Sequence, residues 1–283
     1  MANILVVGCG DIGYPVALVL HEKGHHVTAV KRRALSQPAP FPIICADIRR
    51  AEACLELPVD IDSVLFIVSP GSRQAEDYRL LYQVGLDNLL SHFDQANRAP
   101  RWFMVSSTSV YGQQHGEWVD EQSPTEPISE TARWLVAAEQ RLWQADALHC
   151  VVRFSGIYGP GRDWLIRRVA AGEPIQQQPP SYTNRIHQDD CVAVLVFLLE
   201  QYLAGVTLQA CYLASDDDPA PLWEVMNWIA EQYAYPAPPA LSLPSESEQN
   251  KRCRNARLCA LGYRLLFSSY RDGYLNPGKL EIG

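Results

Sequence analysis

Ile4-Leu5-Val6-Val7-Gly8-Cys9-Gly10-Asp11-Ile12-Gly13 decides the fold of this 283-residue chain. Four apolar residues that read as a buried strand run straight into Gly-x-Gly-x-x-Gly, and a helical pattern to about Lys23 follows. Pro15 sits in the first turn, Ile12, Val16 and Leu20 recur at four-residue spacing, and Gly24 follows the end. In that setting Gly8 permits a tight turn, Gly10 lets backbone amides approach a pyrophosphate, and Gly13 allows close packing of helix on strand. The phosphates would rest on the helix N-terminus, where backbone N–H groups lack partners. The competing reading is a glycine turn that binds nothing.

Outward from this point, short apolar runs alternate with longer helical patterns. Strands are expected at Ile4–Val7, His26–Val30, Ile43–Ala46, Val64–Val68, Trp102–Ser106 and Cys150–Phe154. Long helices are expected at about Gln74–Asn97 and Ser129–Ala145, the second carrying Leu135, Ala138 and Leu142 on one face. This alternation predicts an α/β fold, a doubly wound parallel sheet of the Rossmann kind. The long helical faces suit either core packing or a homodimer seam.

Composition changes after Tyr158, where Gly159-Pro160-Gly161 and Gln176-Gln177-Gln178-Pro179-Pro180 accumulate before a helix at about Asp189–Tyr202. A Pro-rich stretch, Tyr235–Pro244, then separates a helix around Leu222–Tyr233 from a closing one at Arg254–Leu261. The expected division is a dinucleotide-binding domain over 1–158, with 184–205 returning to it, and a smaller, partly discontinuous substrate-binding lobe over 159–183 and 206–283.

Composition narrows the function classes. A net charge of −8 argues against a surface-wide nucleic-acid footprint. No apolar stretch approaches a membrane span, and the N-terminus lacks a secretory pattern, so a cytoplasmic protein is expected. The eight cysteines are widely spaced without a Cys-x-x-Cys pair, which fits reduced, buried thiols and no metal site. Asp216-Asp217-Asp218-Pro219 reads as a solvated loop before a helix, not a metal cluster.

Where the second strand ends, a carboxylate would ordinarily receive the adenosine ribose hydroxyls, but the chain reads Lys31-Arg32-Arg33. Three cations suit a 2′-phosphate better than a bare hydroxyl, so NADP(H) is expected over NAD(H). A solvated basic loop leading into Ala34–Pro42 is the plainer alternative. Asp47-Ile48 after the third strand is placed to reach the adenine edge, and Ser69 after the fourth joins the cofactor-binding candidates. Cys9 lies beside the helix N-terminus, where a dipole can activate a thiol or where a small side chain simply fits.

Together these segments resemble the extended short-chain dehydrogenase/reductase family, the NAD(P)-dependent epimerases and dehydratases of nucleotide sugars. The resemblance runs through the glycine loop, Asp47-Ile48, Ser106–Gly112, Arg153, Gly156–Arg162, Arg185-Ile186-His187 with Asp190, and Asn255–Tyr263. It implies that Ser107 orients a substrate oxygen and that a Tyr-x-x-x-Lys follows on the next long helix. Aligned on Glu139, the tyrosine position falls on Thr131 and the lysine position on Leu135. Between Lys31 and Lys251 the chain contains no lysine at all. A threonine hydroxyl cannot replace a phenol near neutrality, and leucine supplies neither charge nor hydrogen bond. Val7 replaces the usual first glycine, and Gly156 stands where many members carry a substrate-binding asparagine.

The remaining catalytic candidates are Ser107, Tyr111 and Tyr158, with His115 nearby; either phenol could instead be a pocket wall. Ser109, Arg162, Arg185 and His187 are the substrate-binding candidates, the arginines for a phosphate or carboxylate. His187 would organise a turn whose helix Asp189 or Asp190 caps. The expected function is an NADP(H)-dependent oxidoreductase or epimerase acting on a nucleotide-sugar-like or other phosphorylated small molecule by an altered mechanism. A catalytically silent NADP(H) sensor is the alternative.

Overall fold

Alternation within the first strand sorts its side chains to opposite faces: Ile4 and Val6 join one hydrophobic core, Leu5 and Val7 the other. The structure, a computed structural model, describes residues 1–34, 37–243 and 250–275. Seven strands build one sheet: β1 (Asn3–Val7), β2 (His26–Lys31), β3 (Ile43–Cys45), β4 (Ser63–Phe66), β5 (Arg101–Ser107), β6 (Cys150–Phe154) and β7 (Cys211–Ala214). Their order is β7-β6-β5-β4-β1-β2-β3, and every pairing is parallel. The chain winds outward in both directions from β1 and β4, which opens a crevice at their carboxyl ends.

Both faces are covered. The Gly13–Glu22 and Gln188–Leu203 helices bury Val16, Leu20, Cys191, Leu195 and Leu199 on one side. On the other, Leu86, Leu89, Phe93, Leu135 and Leu142 pack against β1, β4 and β5. Leu135, Ala138 and Leu142 therefore belong to the chain's own core, and this face is not free to form a dimer seam. Ser129 starts their helix, Glu130–Ala145, by accepting a hydrogen bond from the Ala132 amide.

A third hydrophobic cluster sits in the smaller lobe, where Tyr158, Val169, Val225, Met226, Ile229 and Tyr270 pack together. The lobe is tied to the sheet domain through Asp190. Its carboxylate accepts from the Tyr263 hydroxyl at 2.7 Å and from the Leu266 and Phe267 amides at 2.8 and 3.0 Å.

Two elements differ from expectation. Cys211–Ala214 is the seventh strand of the main sheet rather than part of the lobe, because four buried apolar residues pair with Val151–Phe154. Such a short run carries no period of its own. The helix expected over 74–97 is α-helical at Ala75–Arg79 and Leu86–Gln95 but π-helical at Leu80–Gly85. Residues 35–36 of the expected basic loop and residues 244–249 and 276–283 of the expected lobe lie outside the described residues.

Candidate functional site

The glycine loop is held by close backbone approach. Gly8 has φ +99°, and a Cβ there would lie 2.1 Å from the Ile67 carbonyl oxygen; one on Gly13 would lie 2.1 Å from that of Gly8. Nothing lies within 4 Å of the Cβ direction of Gly10, which leaves the loop open on its outer side. The helix that follows has no side-chain cap and no acid in its first turn. Tyr14 donates to the Gly10 carbonyl at 2.9 Å and Pro15 has no N–H, so the amides open to an anion are those of Asp11, Ile12 and Gly13.

Around this loop runs a cleft of about 620 Å³. Gly8, Gly10, Asp11, Ile12 and Gly13 form its floor, and Lys31, Arg32 and Arg33 stand at the end of β2. Asp47, Ile48 and Ser69 border the same space. Arg49 grips the Asp47 carboxylate with Nε at 2.8 Å and Nη2 at 2.6 Å, and this hydrogen bonding holds Asp47 below the usual carboxylate range. Cys9 is buried, which pushes its thiol pKa up and removes the activated-thiol reading. The open amides after Gly10 and the cations after β2 are donors of the kind a dinucleotide's phosphates require.

The far end of the cleft is where reacting groups would stand, at the carboxyl end of β5. Ser107 and Ser109 line it, and the Ser109 amide donates to Ser107 Oγ at 3.1 Å. Leu135 and Ile157 close it with apolar surface. Thr131 is not on the wall; its hydroxyl donates to Ser129 Oγ at 3.3 Å within the helix start. Arg162 reaches from the smaller lobe across the cleft to Asp11, with Nη2 3.4 Å from Oδ2.

Both candidate phenols are elsewhere. Tyr111 is 1% exposed, and its hydroxyl accepts from Arg153 Nη1 at 2.9 Å. Arg153 in turn donates from Nε and Nη2 to Glu139 at 3.0 and 2.6 Å, and Ser106 Oγ donates to Glu139 at 2.6 Å. Burial pushes the Tyr111 pKa far above the ordinary phenol value despite the guanidinium beside it. Tyr158 faces the smaller lobe, edge-on to His187 and against Tyr274, with its hydroxyl directed to the Ser269 carbonyl at 3.5 Å. Burial raises its pKa as well. Neither phenol borders the cleft. The expectation that one of them donates the proton is corrected: each fills a core.

Arg185 and His187 are also withdrawn from the cleft. Arg185 is 3% exposed, lies 4.9 Å over the Tyr270 ring and donates to Thr183 Oγ1. His187 is fully buried against Phe267 and caps the Gln188–Leu203 helix, its Nδ1 accepting from the Asp189 amide at 3.1 Å. The cap is thus the histidine and not Asp189 or Asp190. His115 is exposed on its loop and does not line the cleft. The three successive aspartates have separate tasks: Asp217 accepts from Asn255, Asp218 accepts from Ser269 and Arg271, and Asp216 is buried with its pKa pushed up to about 8. Among the described residues no group of His, Cys, Asp and Glu side chains could hold a metal ion.

The structure also adds residues that sequence reasoning missed. Tyr78, Leu81 and Tyr82 border the cleft from the π-helical side, and the Tyr82 hydroxyl donates to the Val68 carbonyl at 3.1 Å. Their helical spacing signals a buried face but cannot say that the face meets a ligand.

With this geometry in place, the likenesses to known proteins can be read. Residues 4–211 match the NAD dependent epimerase/dehydratase family. A solved structure from Methylobacillus flagellatus assigned to the NAD-dependent epimerase/dehydratases is 35% identical, with a TM-score of 0.82 over 98% of this chain and 97% of that one. Among curated proteins, the 3-diazoavenalumate denitrifying reductase of a Streptomyces species is 27% identical over 96% of this chain and 98% of its own length. Protein YeeZ of Escherichia coli strain K12 is 28% identical over 98% and 99%. The chain belongs to the NAD dependent epimerase/dehydratase family, whose extended short-chain dehydrogenase/reductase fold it has.

Proposed function

We propose that this member of the nicotinamide-cofactor family is an NADP(H)-dependent reductase whose substrate takes up hydride without an enzymic proton donor at the reacting atom. The observation that carries the reading is Leu135, an apolar side chain on the cleft wall at the position where the family resemblance calls for lysine, with Thr131 turned away and Tyr111 and Tyr158 buried elsewhere. Epimerisation and dehydration begin by removing a hydroxyl proton, which needs a base of suitable pKa within hydrogen-bond reach. Hydride delivery to a sufficiently electrophilic acceptor does not: a cationic acceptor ends neutral, and the anion left by a neutral one takes its proton from solvent. The likeness to a denitrifying reductase supports a reduction over an epimerisation.

The bound cofactor would supply the hydride. The protein's part is to seat it on the amides after Gly10, to receive an additional phosphate on Lys31, Arg32 and Arg33, and to hold the acceptor against Ser107 and Ser109. Arg162, bridging to Asp11, narrows the mouth and offers a cation to a phosphorylated, nucleotide-sugar-like or carboxylated substrate. Leu135 and Ile157 give the reacting face apolar walls.

The test is NADPH oxidation over a panel of electrophilic acceptors, nucleotide sugars among them, with NADH in parallel. Turnover with NADPH that falls in Ser107→Ala supports the assignment. Tight NADPH binding with no turnover on any acceptor favours a second reading, a silent NADP(H) sensor, which the kept phosphate loop and the replaced Tyr-Lys pair also fit. A homodimer through the outer faces of the two long helices remains part of the proposal, and sedimentation at several concentrations tests it. No helix among the described residues is long and apolar enough to cross a membrane.

A further inference from the structure

An arginine meets an oxyanion best through the fork of Nε and Nη2, whose two N–H groups run parallel. Arg49 fills that fork with the Asp47 carboxylate at 2.8 and 2.6 Å, and Arg153 fills it with Glu139 at 3.0 and 2.6 Å. Arg162 uses only half of it. Its Nη2 lies 3.4 Å from Asp11 Oδ2, and its Nε, although buried, has no hydrogen-bond partner among the described residues. The Arg162 and Asp11 side chains are 35% and 76% exposed, so the bridge between them is weakly held.

This half-used fork stands beside the open amides of the glycine loop. Asp11 is the first of the three residues whose amides are open to an anion, and Arg162 lines the same cleft as Gly10, Asp11, Ile12 and Gly13. The other cations on the cleft wall, Lys31, Arg32 and Arg33, stand at the end of β2. A diphosphate carries about two negative charges, a helix N-terminus offers about half a positive one, and the Asp11 carboxylate adds to the negative side. A diphosphate seated there therefore calls for a cation, and Arg162 is within reach.

The smaller lobe fixes where that cation stands. The Arg162 amide donates to the Gly159 carbonyl at 2.9 Å, which closes a turn. A Cβ on Gly159 would lie 3.0 Å from Nε2 of buried His187, so the turn rests directly on that ring. Tyr158, the residue before it, belongs to the hydrophobic cluster of the lobe.

We propose that Arg162 closes its fork on the diphosphate of the bound cofactor, exchanging Asp11 for phosphate oxygens and so tying the smaller lobe to the sheet domain. Asp11 holds the guanidinium beside the seat until the exchange. Phosphate replaces it because phosphate accepts from both fork donors, whereas the exposed carboxylate meets one of them at long range. The fork takes two of the five guanidinium N–H groups, and the others remain for a substrate anion. The inference rests on the proposed placement of the dinucleotide in this cleft, not on hydride transfer. Because NADPH and NADH share the diphosphate, Arg162 acts on affinity and not on the choice between them.

Calorimetric titration with NADPH, NADH and ADP-ribose, without any substrate, tests the exchange, and thermal unfolding checks that each variant is folded. Arg162→Gln should weaken all three ligands by a similar factor, roughly 10–100-fold. Arg162→Lys keeps the charge without the fork and should fall between. Asp11→Asn removes the competitor, so all three should bind more tightly, by roughly 2–5-fold. A bridge that serves only to pack the lobe predicts instead that Asp11→Asn loses as much affinity as Arg162→Gln, and that result overturns the proposal. Affinities in Arg162→Gln within about 2-fold of native, or a loss confined to NADPH, overturn it as well. Failure of the native protein to bind any of the three removes the dinucleotide from the cleft and the exchange with it. Equal losses for all three in Arg162→Gln, with no turnover of any acceptor by the native protein, would remove the reductase reading and leave the diphosphate clamp standing.

Discussion

Ser106 Oγ lies 2.6 Å from Glu139 Oε1, and this one contact joins the wall of the cofactor cleft to a buried ion pair. Behind it Arg153 holds Glu139 through two hydrogen bonds and Tyr111 through a third, with the Arg153 and Glu139 side chains 4% and 1% exposed. Such a network has little room for a missing member, because each group left alone would be a desolvated polar atom.

Glu139→Gln should therefore destabilise the fold by about 3–5 kcal/mol, since it strands the Arg153 guanidinium in the core. Urea unfolding at pH 7 measures it. Replacing both partners, as Glu139→Leu with Arg153→Met, should recover most of the loss. A single variant as stable as the native protein would mean that the pair is not desolvated as described.

The triple cation after β2 should set cofactor choice. Lys31→Ala with Arg32→Ala is expected to weaken NADPH binding by roughly 10–100-fold, two charge-assisted contacts being worth about 1–3 kcal/mol together. NADH affinity should stay nearly constant. Calorimetric titration of both cofactors into both proteins reads the difference, and an equal loss for NADH would place these residues outside the 2′-phosphate site.

Tyr111→Phe and Tyr158→Phe should leave turnover within about 3-fold of native on any acceptor found. Loss of a true proton donor costs on the order of 10²–10⁴-fold. A drop of that size in either variant would restore a phenol to the chemistry. Tyr111→Phe should cost about 1 kcal/mol of stability through the Arg153 contact.

His149 supplies a pH-dependent test of the core. It is buried, its Nδ1 accepts from the Trp102 amide at 3.3 Å, and desolvation pushes its pKa down from 6.5 to about 4. A base whose folded value lies below its unfolded value contributes stability that is present above 6.5 and lost as pH falls from 6.5 toward 4. Between pH 7 and pH 5 the native protein should lose about 2 kcal/mol more than His149→Asn, which keeps an acceptor but carries no titrating group. Equal slopes in urea unfolding at the two pH values would count against a neutral buried imidazole.

The convergence of the cofactor-binding candidates on one cleft was legible because it is local. Gly8, Gly10 and Gly13 with Lys31, Arg32 and Arg33 lie within a few residues of strand ends, and strand ends converge in any parallel sheet. The placement of the catalytic candidates was not, because burial decides it. Tyr111 and Tyr158 sit beside strand ends in sequence, yet their rings turn into Arg153 and into the smaller lobe, which no spacing rule reports. The Lys251–Cys253 strand, noticed only as the end of a lysine-free stretch, pairs with Glu117–Val119 across more than a hundred residues, which no local spacing reports. The Cys211–Ala214 strand escaped for a related reason, as four residues carry too little pattern to outweigh a run of loops.

The π-helical stretch Leu80–Gly85 lets one helix serve two masters. Tyr78 before it and Leu81 and Tyr82 within it border the cleft as well as the core; after it, Leu86, Leu89 and Phe93 look only into the core beneath the sheet. An ideal α-helix advances 100° per residue and would hold both sets to a single phase. The wider turn supplies the offset, so that cleft and core can each be tuned without rotating the other. Deleting one residue here should return the segment to α geometry with the second half kept in phase, and shift the cleft-lining side chains of the widened turn. In this helix, residue count is itself a specificity element.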